Sequence, residues 1–329
     1  MPFRLRFGDD DLMRCRFAVS PLWETQEAVR TLGRPDRHGY HPHWLRRIRG
    51  AARGLDLETL WLLMPRRGYN PDFLGPPPIG PAATFEEEIA AVRAADPRMA
   101  AVEIARALAE TPGAAESARG RALLADPGRA VAELAGLMEA AWRVLVEPEW
   151  PRLRALLEAD VAFHSRRLAE VGLGALLPEL DRRLAWDGRT LTVDLAGEYG
   201  RELGGQGLVL MPSVFSWPDV VSGFDPPWQP TVVYPARGLA GLWAEPGAGG
   251  GAGDVLVRLL GRGRAAVLAA LDEPACTSAL AHRLGLAASS VSAHLTVLRE
   301  AGLLTSRRYG HQVLYERTPL GMALVASGG

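Results

Sequence analysis

Between Glu245 and Asp254 the chain reads EPGAGGGAGD, a run with no side chain able to hold a fixed backbone. Gly-rich segments behave as flexible connectors, so this run limits how far any single core can extend. It predicts an N-terminal domain over residues 1–245, a linker over 246–253 and a C-terminal domain over 254–329. The two parts differ in chemistry. From Asp254 onward there are 8 Arg against 5 acidic residues, a net of +3; before it there are 29 Arg against 33 acidic residues, a net of −4, and together they give −1. All 9 Trp precede the linker.

The apolar and charged fractions, 48% and 23%, are those of a globular chain long enough for two domains. No apolar run approaches the roughly 18 residues needed to span a bilayer, and the amino-terminal Asp9, Asp10 and Asp11 stand where a signal peptide would need an apolar stretch. The cytoplasm is the expected compartment. All 37 basic side chains are Arg and none is Lys, which with the abundant Ala, Gly and Pro reads as the codon usage of a GC-rich genome. Only Cys15 and Cys276 occur, too few for a disulfide framework or a cysteine-based zinc site.

The first part opens with a possible strand, PFRLRF, and then turns mostly helical. Thr84 and Glu87 have the spacing of a capping box, Pro97 suits the first turn of a further helix, and helical periodicity runs through AVAELAGLMEAAWRVLV and RLRALLEADVAFHSRRLAEVGL. Near Leu184 the pattern changes to short β-rich runs, RTLTVDL, GLVLMPSVF and PTVVYPARG, which predict one small sheet. Trp217, Trp228, Tyr234 and Trp243 lie close together in this stretch. They either line an apolar small-molecule pocket or belong to an ordinary aromatic core. His38, His41 and His43 in HGYHPHW read as a loop entering a helix, since no Cys or carboxylate is fixed nearby to complete a metal site.

The second part carries the stronger pattern. Helices are expected over Val255–Leu260, Arg262–Leu271 and Thr277–Leu284, with Thr277 as N-cap and Gly285 as a left-handed terminator. A further helix follows, capped by Ser289, in which Val291, Leu295 and Leu298 form one apolar stripe. Its remaining faces bear Ser289, Ser290, Ser292, Ala293, Thr296 and Arg299 where an ordinary solvated helix would carry Glu and Lys, while His294, near the edge of the apolar stripe, is either packed in the fold or in contact with DNA. Two short helices joined by such a turn form a helix-turn-helix, whose second helix lies in the major groove of DNA. LLTSRR and QVLYER then flank a Gly-containing turn, a hairpin carrying Arg307, Arg308, His311, Gln312 and Arg317 as a wing that lies along the phosphate backbone or in the adjacent minor groove. Thr318 and Pro319 open a last helix. The fold class is therefore α+β, mostly α: a helical N-terminal domain with a small sheet, then a winged helix-turn-helix.

The stretch ALAHRLGLAASSVSAHLTVLREAGLLTSRRYGHQVLYERTPLG resembles the winged helix-turn-helix of ArsR/SmtB repressors. The resemblance implies a homodimeric repressor whose two reading helices enter successive major grooves of a near-palindromic double-stranded operator. The upstream PSVFSWPDVVSGFDPPWQPTVVYPARG is similar to an N-terminal extension of longer, little-characterised members, and names no ligand. Metal-sensing members carry a Cys-x-Cys pair before the reading helix, or His and carboxylate ligands on the last helix. Here the first region holds a lone Cys276 and the last helix, PLGMALVASGG, holds none of these side chains, so no metal and no cofactor are expected.

Three functions compete. The first is a repressor released by a small-molecule effector bound in the N-terminal domain. The second is an enzyme-like N-terminal domain fused to a regulatory module, although no G-x-S-x-G, no G-x-x-x-x-G-K and no H-E-x-x-H occurs, so no catalytic residue is expected. The third is a winged helix used for protein contacts alone.

Overall fold

The computed structural model describes residues 3–65, 68–243, 252–272, 274–309 and 312–327. In chain order the helices are α1 (Pro21–Leu32), α2 (Pro42–Ala52), α3 (Glu58–Leu63), α4 (Phe85–Arg93), α5 (Pro97–Ala109), α6 (Ala118–Ala125), α7 (Pro127–Ala141), α8 (Trp150–Val171), α9 (Leu173–Leu180), α10 (Leu239–Leu242), α11 (Ala252–Leu260), α12 (Arg262–Ala270), α13 (Thr277–Leu284), α14 (Ala288–Glu300) and α15 (Pro319–Ser327). The strands are β1 (Phe3–Arg6), β2 (Arg16–Phe17), β3 (Leu184–Trp186), β4 (Thr190–Val193), β5 (Tyr199–Glu202), β6 (Val209–Ser213), β7 (Val221–Ser222), β8 (Thr231–Pro235), β9 (Ala275–Cys276), β10 (Leu304–Tyr309) and β11 (Gln312–Arg317). The chain is thus mostly helical with small sheets, ending in a winged helix-turn-helix.

It divides into two compact units, and the division differs from the one read in the sequence. One unit comprises Met1–Pro35 and Ile48–Ala236; the other comprises Asp36–Arg47 and Arg237–Gly329. Most of the expected linker lies outside the described residues, but α11 already begins at Ala252, inside it. HGYHPHW leads into α2, as a loop entering a helix does. His41 is fully buried in the second unit, where its Nδ1 accepts a hydrogen bond from Trp243 Nε1 at 3.1 Å, and burial pushes the imidazole down to about 3. Trp44, one turn on, is fully buried as well, with its ring edge-on to His41. A local pattern of His, Pro and Trp shows that a helix follows; it carries no signal for which distant Trp completes the packing.

In the first unit the β-rich runs make two sheets rather than one. β4 joins β3, β1 and β5 in the order β3-β4-β1-β5, whereas β6 and β8 lie in the order β2-β6-β8-β7. The amino-terminal strands cause the split: β1 pairs antiparallel with β4 and parallel with β5, and β2 pairs parallel with β6. Such long-range pairing has no local signature. The core against these sheets includes Leu5, Phe7, Leu176, Leu177, Leu191, Val193 and Leu208. The capping box at Thr84 and Glu87 is present with both of its hydrogen bonds, and Pro97 opens α5 behind Asp96.

Helix α1 is buried along nearly its whole length despite Glu24, Thr25, Gln26, Glu27 and Arg30. Each buried charge finds a partner, as burial requires. The Glu24 carboxylate accepts from the backbone N–H of Val214 and Phe215, and Glu27 pairs with Arg30 at 2.8 Å. Desolvation pushes Glu24 up to about 8.

Candidate nucleic-acid interface

The second unit builds its reading surface on one small core: Leu256, Ala265, Val267, Leu268, Leu271, Leu280, Ala281, Val291, Leu295, Leu298, Leu303 and Leu304. α13 ends at Gly285, whose φ of +63° is the left-handed conformation that lets the chain turn; Leu286 N–H then bonds Ala281 O at 3.0 Å. α14 ends the same way at Gly302, φ +70°, with Leu303 N–H bonding Leu298 O at 2.9 Å. β10 and β11 pair from Leu304 opposite Arg317 to Tyr309 opposite Gln312, and β9 adds a third strand beside β11.

Two helix starts fall one or two residues from where the sequence places them. The N-cap of α13 is Cys276, not Thr277, and that of α14 is Ala287, not Ser289, with no side-chain cap in either. The turn after Gly285 is short, so α14 begins at Ala288 and Ser289 and Ser290 fall within its first turn. Their hydroxyls are therefore not used as caps and stand exposed beside the helix's leading backbone N–H groups. The Cys276 thiol is lowered chiefly by its hydrogen bond with Ser278 Oγ at 3.1 Å.

Val291, Leu295 and Leu298 are the buried stripe of α14, and Ser289, Ser290, Ser292, Ala293, Thr296 and Arg299 are exposed. Thr296 Oγ1 donates back to Ser292 O at 3.0 Å. His294 stands apart from this group. It is half-buried, with its ring so close to α12 that a Cβ on Gly263 would lie 2.4 Å from Nε2.

On the wing, Arg308 is exposed and Arg307 half-buried. His311 lies outside the described residues, and for Gln312 only the backbone is described, paired with Tyr309. Arg317 is the clear departure from the basic hairpin read in the sequence. It is 8% exposed, and its Nε and Nη2 donate to Leu268 O at 2.7 Å and Ala269 O at 2.6 Å, at the carboxyl end of α12. A guanidinium there satisfies carbonyls that the helix leaves open. It supports the root of the wing and is not part of its surface. Arg283 does similar work from outside, bonding Ala270 O and Asp272.

Replacing Arg307 and Arg308 together with Ala is expected to weaken binding to every duplex and to flatten the plot of log K against log salt by up to about two. The measurement is a salt titration of duplex affinity; an unchanged slope would remove the wing from the interface.

Of the four aromatic residues considered for a ligand, Trp217, Trp228 and Tyr234 lie in the first unit. Tyr234 is fully buried and its hydroxyl donates to Asp160 Oδ2 at 2.9 Å. Trp228 packs, partly buried, on the cluster of Trp23, Met211 and Phe224, and Trp217 is also partly buried. Trp243 belongs to the other compact unit. Within the first unit, Tyr234 sits in the core on β8, and Trp228 packs on a separate cluster. The first unit instead holds an open cleft of about 520 Å³ lined by Tyr199, Arg201, Glu202, Gln206, Asp225 and Pro226, among others. Arg201 stiffens its wall by donating to the carbonyls of Phe224 and Trp228 and to Gln206 Oε1.

Residues 263–307 match a helix-turn-helix domain family, and residues 81–240 match DUF5937, a family of unknown function. No curated protein and no solved structure matches the chain. The helix-turn-helix match coincides with α12 to β10, so the chain is a DNA-binding transcription regulator. No helix among the described residues is long and apolar enough to cross a membrane, and no group of three or more His, Cys, Asp and Glu among them is placed to hold a metal ion.

Proposed function

We propose that the protein is a dimeric repressor of the ArsR type, released from a near-palindromic operator by a small-molecule effector bound in the first unit, with no catalytic step. The observation that carries the reading is the exposed, short-chained face of α14 with an arginine-bearing hairpin directly after it. Dimerisation is favoured by two leucines that α11 and α15 leave uncovered where these helices pack together: Leu259 is 64% exposed and Leu320 is 59% exposed. The cleft beside β5 offers the effector a concave site on the larger unit. An effector that prefers one protomer arrangement by about 1–3 kcal/mol changes operator occupancy severalfold.

Selection of bound duplexes from a random library tests the reading. An inverted repeat with half-sites about one helical turn apart is expected. A single asymmetric half-site would refute the dimer. Changing Leu259 and Leu320 together to Asp is expected to yield monomers in sedimentation and to weaken binding to the full repeat far more than to one half-site. Dimers that persist would place the interface elsewhere.

A further inference from the structure

The exposed face of α14 also restricts how bases are read, and this inference rests on α14 being the helix that enters the groove. At 100° per residue, Ser289, Ala293 and Thr296 share the side opposite Val291, Leu295 and Leu298, and Ser292 flanks it. All four are exposed. None has the length or the paired donors and acceptors needed to bond guanine or adenine in bidentate fashion, which is the work of Arg, Lys, Asn and Gln. Residues 254–329 contain no Lys and no Asn, and their one Gln, Gln312, is on β11. Arg299 lies in the last turn of α14, whereas base edges are met by the leading residues of a reading helix.

The four side chains nevertheless present two methyl groups, with the exposed Val297 at the edge of the same face. One is the Cβ of Ala293. The other is the γ-methyl of Thr296, which is left as the outward group because the hydroxyl is turned back onto Ser292 O. Small side chains also let the helix backbone sit close to the floor of the groove. Among base edges in the major groove, the only apolar feature is the C5-methyl of thymine.

We propose that α14 reads its half-site through thymine C5-methyl groups, met by Ala293 and by the γ-methyl of Thr296, with Ser289 and Ser292 held for phosphates or single hydrogen bonds.

The test uses the full chain and the tightest duplex selected from a random library. Each thymine is replaced in turn by deoxyuridine, which removes the methyl and leaves the pairing and every other groove atom. One or two positions in each half-site are expected to lose about fourfold in affinity apiece, the value of one buried methyl-sized group. In a Thr296→Ser variant, which retains the hydroxyl, one of those positions should become indifferent to the change. At that same position 5-methylcytosine should be preferred over cytosine by the parent protein and not by the variant. Indifference to deoxyuridine at every position would overturn the proposal. So would a loss above tenfold on replacing a half-site purine by its 7-deaza analogue, which marks bidentate purine reading. If deoxyuridine is neutral while Ser292→Glu abolishes binding, helix reading stands and methyl reading fails. If the selection enriches no duplex, both fail.

Discussion

A glutamate placed at Ala293 is expected to reduce operator affinity by more than a hundredfold while leaving the melting curve of the protein unchanged. Ala293 is exposed in the middle of α14, on the side away from the Val291, Leu295 and Leu298 stripe, so a longer side chain meets no core atom. Glu is nearly as good a helix former as Ala, and the helix itself is not disturbed. In the complex the new carboxylate would enter a groove bordered by two rows of phosphates. Like charges set against each other at an interface cost several kcal/mol, and about 3 kcal/mol is already more than a hundredfold. Fluorescence anisotropy on the selected duplex, with thermal unfolding as the control, gives the result. Binding that survives would show that this face of α14 points away from DNA.

The second large effect is on stability alone. Arg317→Met is expected to destabilise the winged-helix unit by about 2–4 kcal/mol, because the carbonyls of Leu268 and Ala269 lose charge-assisted hydrogen bonds in a site that water reaches poorly. For a unit of this size that lowers Tm by roughly 10–30 °C. Arg317→Lys should recover little, since an ammonium cannot span both carbonyls as the planar guanidinium does. Among the molecules that remain folded, the salt dependence of duplex binding should match the parent protein. This is the reverse of the expectation for Arg307 and Arg308, where the slope changes. A flattened slope for Arg317→Met would return this residue to the DNA surface.

Arg307, Arg308 and Arg317 look alike in the sequence: three arginines on two adjacent β-rich runs. What separates them is register. Arg317 pairs with Leu304 at the base of the hairpin, where β11 passes the end of α12, and there the guanidinium finds two open carbonyls. No count of charge along the chain contains that information. His294 is a similar case. Its position on the edge of the apolar stripe leaves packing and groove contact equally open, and the decision comes from Gly263, whose missing side chain makes room for the ring.

The winged helix was the most legible part because its determinants are local. A 3.6-residue stripe, glycines at 285 and 302, and two β-rich runs around a tight turn each act within a few residues of themselves. Helix ends are less sharply encoded than helix interiors, and the N-caps fall at Cys276 and Ala287, one or two residues before Thr277 and Ser289. The first unit was less legible. The runs around β4, β6 and β8 were visible as strands, yet their partners β1 and β2 lie nearly 200 residues away in the chain. The burial of α1 had no signal either, since PLWETQEAVRTL shows as many polar as apolar side chains; Glu24 takes its hydrogen bonds from the distant backbone of Val214 and Phe215, while Glu27 pairs with Arg30 within the helix.

The amino acids by themselves determined the elements: which runs are helices and strands, where glycine must turn the chain, and that a helix with a short-chained polar face precedes an arginine-bearing hairpin. Tertiary structure alone decided which aromatic side chains meet, which arginine is buried, and that Asp36–Arg47 joins the carboxyl-terminal unit. The reason is one of range. Backbone conformation answers to neighbours a few positions away, whereas a buried hydrogen bond such as Trp243 to His41 joins residues that only the completed core brings within 3.1 Å.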